Sequence, residues 1–119
     1  MYIDNMKKGY LSKEFDYPET YKKILRLGLT NVEPWYIWEE EKLFKIRYEG
    51  LQKRYPERQL IPFAQRIDND DIACFELEKG TTVQIIHDFA TSGWEQRKIY
   101  NDFSEWFKEV IAEMLIEIY

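Results

Sequence analysis

Between Leu60 and Glu95 the chain reads LIPFAQRIDNDDIACFELEKGTTVQIIHDFATSGWE, three apolar runs parted by two short polar breaks. Runs of this length, rich in β-branched and aromatic residues, have the pattern of strands. Breaks this short leave room only for hairpin turns, so residues 60–67, 72–77 and 83–89 are expected to form a consecutive antiparallel meander. The breaks carry Asp68, Asn69, Asp70 and Asp71, with Asp88 at the end of the third run. Carboxylates therefore stand at the strand ends.

A meander with two apolar faces must be covered, and the flanking sequence supplies helices. Pro18 and Glu19 open a helix expected over 18–28, with Tyr21, Ile24, Leu25 and Leu27 as its apolar side and Gly28 as its stop. A second is expected over 39–54, with Glu39, Glu40 and Glu41 at its start, Lys53 and Arg54 at its end, and Phe44, Tyr48, Leu51 and Tyr55 as its stripe before Pro56. Between them NVEPWYIW is either a short edge strand or an aromatic-rich loop. Asp102, with Glu105 three residues on, has the capping-box pattern. Phe103, Trp106, Phe107, Val110, Ile111, Met114 and Ile118 then recur at helical spacing. The expected fold is α+β: a twisted antiparallel β-meander flanked by N-terminal helices and a C-terminal amphipathic helix.

The 119 residues carry no repeat or linker and are expected to form one domain, 45% hydrophobic and 33% charged, able to bury about two-thirds of its unfolded surface. No apolar run approaches the roughly 18 residues of a membrane span, and the first thirty residues lack the order of a secretory signal. Cys74, alone in the chain and inside an apolar strand, suits a reducing compartment. A cytoplasmic protein is expected. Net charge is −5, unevenly spread: residues 1–60 hold 12 Lys/Arg against 10 Asp/Glu, whereas residues 61–119 hold 5 against 12. An acidic second half argues against nucleic acid as a direct ligand and suits a basic partner.

Few residues offer chemistry. Asp68, Asp70, Asp71 and Asp88 could bind a hard cation, which would suit a small metal-dependent hydrolase, but their spacing lacks the glycine and glutamate of a calcium loop. Asp and Asn are ordinary turn formers, so a turn-forming or partner-facing role is preferred. His87 and Asp88 are neighbours on a strand and point to opposite faces, so these two side chains cannot easily form a base-and-carboxylate pair, and His87 is expected to be buried and hydrogen-bonded. One histidine and one cysteine cannot build a zinc site. Cys74 reads as core, and Ser92 lacks the glycine of a nucleophile elbow. No catalytic residue and no cofactor is expected. Trp94, after Gly93 and before polar residues, either reaches the surface or closes the sheet against the last helix; Trp35, Tyr36 and Trp38 leave the same two readings open.

PWYI (34–37), RYEGLQKRYP (47–56), LIPFAQRIDNDDIACF (60–75) and VQIIHDFATSGWE (83–95), in this order and spacing, resemble the SUKH superfamily, in particular its bacterial branch related to the fungal cell-wall assembly regulators. The resemblance runs from about Pro18 into the last helix. It implies an α+β domain and a non-catalytic binding role. Many bacterial relatives look like immunity proteins that neutralise a cognate toxin, often a nuclease, while the fungal relatives suggest an intracellular adaptor. It further implies that Asp68, Asn69, Asp70, Asp71, Asp88, Trp94 and Glu95 lie near a partner-binding surface. A basic nuclease would be the electrostatic complement of an acidic second half.

Overall fold

A computed structural model describes residues 15–117. Among these residues three helices and six strands follow one another as α1 (Glu19–Arg26), β1 (Asn31–Val32), β2 (Trp35–Ile37), α2 (Glu41–Arg54), β3 (Leu60–Arg66), β4 (Asp71–Glu76), β5 (Val83–His87), β6 (Gln96–Tyr100) and α3 (Phe103–Glu117). The strands form one antiparallel sheet in sequence order. The expected α+β meander is therefore present, and it is wider than three strands. NVEPWYIW resolves into the β1–β2 hairpin, and β6, absent from the sequence expectation, adds the far edge.

The sheet is apolar on both faces because its strand alternation feeds two clusters. Ile61, Phe63, Ala64, Ala73, Phe75, Val83 and Ile85 join Tyr21 and Leu25 of α1 and Phe103, Trp106 and Val110 of α3 in the larger one. Leu60, Ile72, Cys74 and Ile86 join Leu51 of α2, with Trp38 and Tyr55, in the other. Phe63 and Ala64 fall in the same cluster although adjacent, because the β3–β4 register shifts between Pro62 and Ala64. A bulge there breaks the alternation, and a proline without an amide proton is tolerated beside it. Phe63 consequently stacks on Phe75 at 4.5 Å and meets Trp106 edge-on at 5.1 Å. Trp35 and Trp38 are core, Tyr36 is half-buried, and Cys74 is buried, its thiol pushed up by desolvation.

Helix ends follow their sequence signals. Gly28, at φ +70°, closes α1: its own amide donates to the Leu25 carbonyl and the Leu29 amide to that of Ile24, the paired bonds of a Schellman cap. Asp102 Oδ1 accepts the Glu105 amide at 2.8 Å, as the capping box requires, but Glu105 reaches back to Asn101. Ile118, expected on the apolar stripe of α3, lies outside the described residues. Among the described residues no helix is long and apolar enough to cross a membrane.

An up-and-down meander puts alternate connections at the same end. The β1–β2 turn, the β3–β4 turn and the β5–β6 loop therefore share one rim of the sheet, and backbone bonds tie them: the Ile67 amide donates to Pro34 and the Asp88 amide to Asp70. The candidate site sits on this rim.

Candidate functional site

The β5–β6 connection, DFATSGWE (88–95), is eight residues long and ordered by its own hydrogen bonds. The His87 amide donates to the Glu95 carbonyl at 2.8 Å, the Ala90 amide to His87 at 3.3 Å and the Trp94 amide to Thr91 at 2.8 Å. Gly93 turns the chain at φ +97°, a conformation that strains other side chains. From α2's end, the Tyr55 hydroxyl donates to the Ala90 carbonyl at 2.8 Å. Burial pushes that hydroxyl above its usual range, with the nearby Asp88 and Glu95 charges adding to the effect, so it stays a donor.

The loop begins Asp-Phe and ends Trp-Glu, with both acids inward and both aromatics outward. Asp88 is 1% exposed. Its Oδ1 accepts Arg54 Nε at 2.7 Å and the Phe89 amide at 2.9 Å, while Oδ2 accepts Arg54 Nη2 and Arg47 Nη1, both at 2.8 Å. A buried carboxylate needs such compensation, and here a bidentate guanidinium, a second arginine and a backbone amide supply it. Glu95 is buried at the other end, accepting Arg58 Nη1 at 2.9 Å and the Gly93 amide at 2.7 Å. Arg58 also clamps Glu76 at 2.8 and 3.1 Å. Burial pushes the Glu76 and Glu95 carboxyls up, but hydrogen bonds and charge from Arg58 outweigh it, aided by Lys79 at Glu76 and backbone amides at Glu95. Both acids are held below the usual carboxylate range.

The outward pair is conspicuous by exposure. Phe89 is 61% and Trp94 78% exposed. Phe89, expected to end the third strand, lies instead beyond β5, which stops at His87, and adopts φ +68°. Left-handed backbone is costly for a bulky residue. Its ring lies 4.2 Å from the Arg54 guanidinium carbon. At the guanidinium's Nη end, a Cβ placed on Gly50 would lie 2.7 Å from Arg54 Nη2. The guanidinium thus occupies the space beside a helical glycine, bonded to Asp88 and lying over the Phe89 ring.

The neighbouring β3–β4 turn is built differently. Asn69 Oδ1 accepts the Asp71 amide at 2.7 Å, an Asx turn, and Asp68 pairs with Arg66 at 2.8 and 2.9 Å. Hydrogen bonding to Arg66 lowers the Asp68 carboxyl below its usual range. Asp71 opens β4 and meets His87 Nδ1 at 2.8 Å across the strand pair. His87 is thus hydrogen-bonded as expected but only half-buried. Asp70 is exposed. Ile67, 60% exposed, adds an apolar group to the same rim.

The four aspartates considered for a metal diverge: Asp68 turns to Arg66, Asp71 to His87 and Asp88 to α2, while Asp70 is exposed. Among the described residues no three His, Cys, Asp or Glu side chains gather as metal ligands. Among the seven expected partner-facing residues, Trp94, Asp68, Asn69 and Asp70 are exposed and Asp71 is half-buried, whereas Asp88 and Glu95 face inward. Each of those two is engaged with arginines, Asp88 with Arg47 and Arg54 and Glu95 with Arg58, and so ties the loop to the α2 side. The acidic second half is partly paired in space. Arg47, Arg54 and Arg58, all from the first half, neutralise Asp88, Glu76 and Glu95 in space.

These residues fall within a match to the model of the SMI1 / KNR4 family (SUKH-1), which spans residues 10–109. The chain belongs to that family. No curated protein and no solved structure matches it. In this SUKH-1 chain, Gly50, Arg47, Arg54, Arg58 and Phe89 are site residues that the sequence pattern does not single out. One signal points to three of them: Gly50 sits inside a helix, where glycine costs about 1 kcal/mol relative to alanine, with Arg47 three residues before it and Arg54 four residues after it.

Proposed function

We propose that the chain is a non-catalytic binding protein of the immunity type, which engages a cognate toxin domain through the rim formed by the β1–β2 turn, the β3–β4 turn and the β5–β6 loop. One observation carries this reading: Phe89 and Trp94 are displayed to solvent on a loop whose acids are locked inside. Large aromatics are favoured interface anchors, and a preordered loop loses little entropy on binding. Asp70 and Asp68 supply negative charge beside them, suited to a toxin with a basic face. Membership of SUKH-1 supports a protein partner. The inward, arginine-paired acids do not resemble general acids or metal ligands.

Co-expression with the product of the neighbouring gene tests the proposal. A stable complex and restored growth are expected, and Trp94→Ala should weaken the complex by about thirtyfold, a typical hot-spot loss. Neither complex nor protection would reject it, and a complex without protection would favour an intracellular adaptor.

A further inference from the structure

Resting on that reading, we infer that Gly50 and Arg54 are positioning residues for the docking loop: α2 sets the pose of Phe89 through a guanidinium whose Nη end fills the space left by a bare helical glycine. The partner implied is a folded protein domain with an apolar socket for Phe89 and Trp94, flanked by lysine or arginine facing Asp70.

Gly50 lies within the 14-residue helix α2, where alanine would favour helix formation. What the missing Cβ provides is space, since Arg54 Nη2 would lie 2.7 Å from it and Nη1 3.1 Å. In that space the guanidinium is fixed on three sides. Asp88 takes it bidentately at 2.7 and 2.8 Å, its carbon lies over the Phe89 ring at 4.2 Å, and Gly50 leaves room for its Nη end.

Phe89 is also an unfavourable residue for its backbone. At φ +68° asparagine or glycine would be less strained, and a ring left 61% exposed contributes little burial in return. Strain concentrated on an exposed aromatic fits a residue held for what it meets outside. The arginine plane underneath stops the ring from folding down and orients it outward. Two anchors on one closed loop are then each held from within. Phe89 is held by Arg54, and Trp94 by the Gly93–Glu95 bond and Arg58.

Alanine at position 50 offers a clean perturbation. The clashing atoms are the far end of a flexible side chain, so the helix stays and the guanidinium moves. The higher helix propensity of alanine should offset the weakened hold on Arg54, leaving the melting temperature near that of the parent. Amide hydrogen exchange on the full chain is the first readout. In Gly50→Ala and in Arg54→Lys, which keeps the charge but loses the planar fork, the Phe89, Ala90 and Trp94 amides should exchange about tenfold faster while those of β3 and β4 do not change. Unchanged exchange in the loop for both variants, or faster exchange throughout the sheet, would overturn the positioning role.

Dissociation from the purified neighbouring-gene product is the second readout. Gly50→Ala should speed it about tenfold, and Phe89→Asn, which relieves backbone strain, should weaken binding about thirtyfold without lowering the melting temperature. If Phe89→Asn and Trp94→Ala bind as the parent does while loop exchange rises in Gly50→Ala, the docking reading fails and the α2 support stands.

Discussion

The β3–β4 turn and the β5–β6 loop lie side by side on one rim, both rich in aspartate or glutamate, yet their acids do opposite work. In the turn, Asp68, Asn69 and Asp71 bond within their own hairpin or across to the adjacent strand. In the loop, Asp88 reaches Arg47 and Arg54, 41 and 34 residues upstream, and Glu95 reaches Arg58, 37 residues upstream. The turn's acids remain near water and shape a short connection. The loop's acids are buried and pin a long connection to a helix, freeing its aromatics to face out. Placement on the same rim therefore says little about a carboxylate's role; what decides is whether a cation waits inside.

The largest expected effect breaks this contrast at its buried end. Asp88→Ala removes the acceptor for two guanidinium groups and the Phe89 amide. Losing one member of a buried pair costs about 3 kcal/mol or more, here toward the lower end because Arg47 and Arg54 are half-exposed and can rehydrate. Asp70→Ala, in the turn, should stay within about 0.5 kcal/mol. Urea unfolding of the two variants measures the difference, and equal losses would erase the distinction between the regions.

A second effect concerns acid. Glu76 and Glu95 are held below their ordinary value of 4.5 in the folded chain, so the unfolded chain takes up protons first as pH falls. Their contribution is full above pH 4.5 and is lost as pH drops through the lower folded values. Arg58→Ala should therefore destabilise by about 2 kcal/mol near neutrality, with the gap from the parent narrowing below pH 4.5. Melting curves at pH 7 and pH 3.5 check this, and a gap that widens in acid would refute it.

The contrast also marks what the sequence could reveal. The three central strands follow from alternation and turn chemistry, and the Asn69 turn follows from local side-chain bonding. Strand β6, QRKIY, offers no alternation because it is an edge strand with its side chains exposed or half-exposed. The β1–β2 hairpin is hidden by Pro34 and by strands of two and three residues. Strand alternation correctly separates His87 from Asp88, but nothing local indicates that arginines more than thirty residues upstream await that acid. Summed charge hides the same pairing, since it counts the halves of the chain separately while the fold brings Arg47, Arg54 and Arg58 to Asp88, Glu76 and Glu95.

The smallest effect on stability should be the most telling for recognition. Asp70 sits at the exposed tip of the β3–β4 turn, and its carbonyl, not its carboxylate, holds the Asp88 amide. Asp70→Lys therefore leaves the fold's hydrogen bonds intact and reverses one charge beside the aromatic anchors. Rim charges act chiefly on encounter rate, so association with a basic neighbouring-gene product should slow severalfold at low salt and converge with the parent as salt rises. Dissociation should hardly change, whereas the loop variants act mainly there. Stopped-flow association at two ionic strengths separates the two, and an Asp70→Lys on-rate equal to the parent's at low salt would leave the rim's charge without a role and its aromatics as the whole of the recognition.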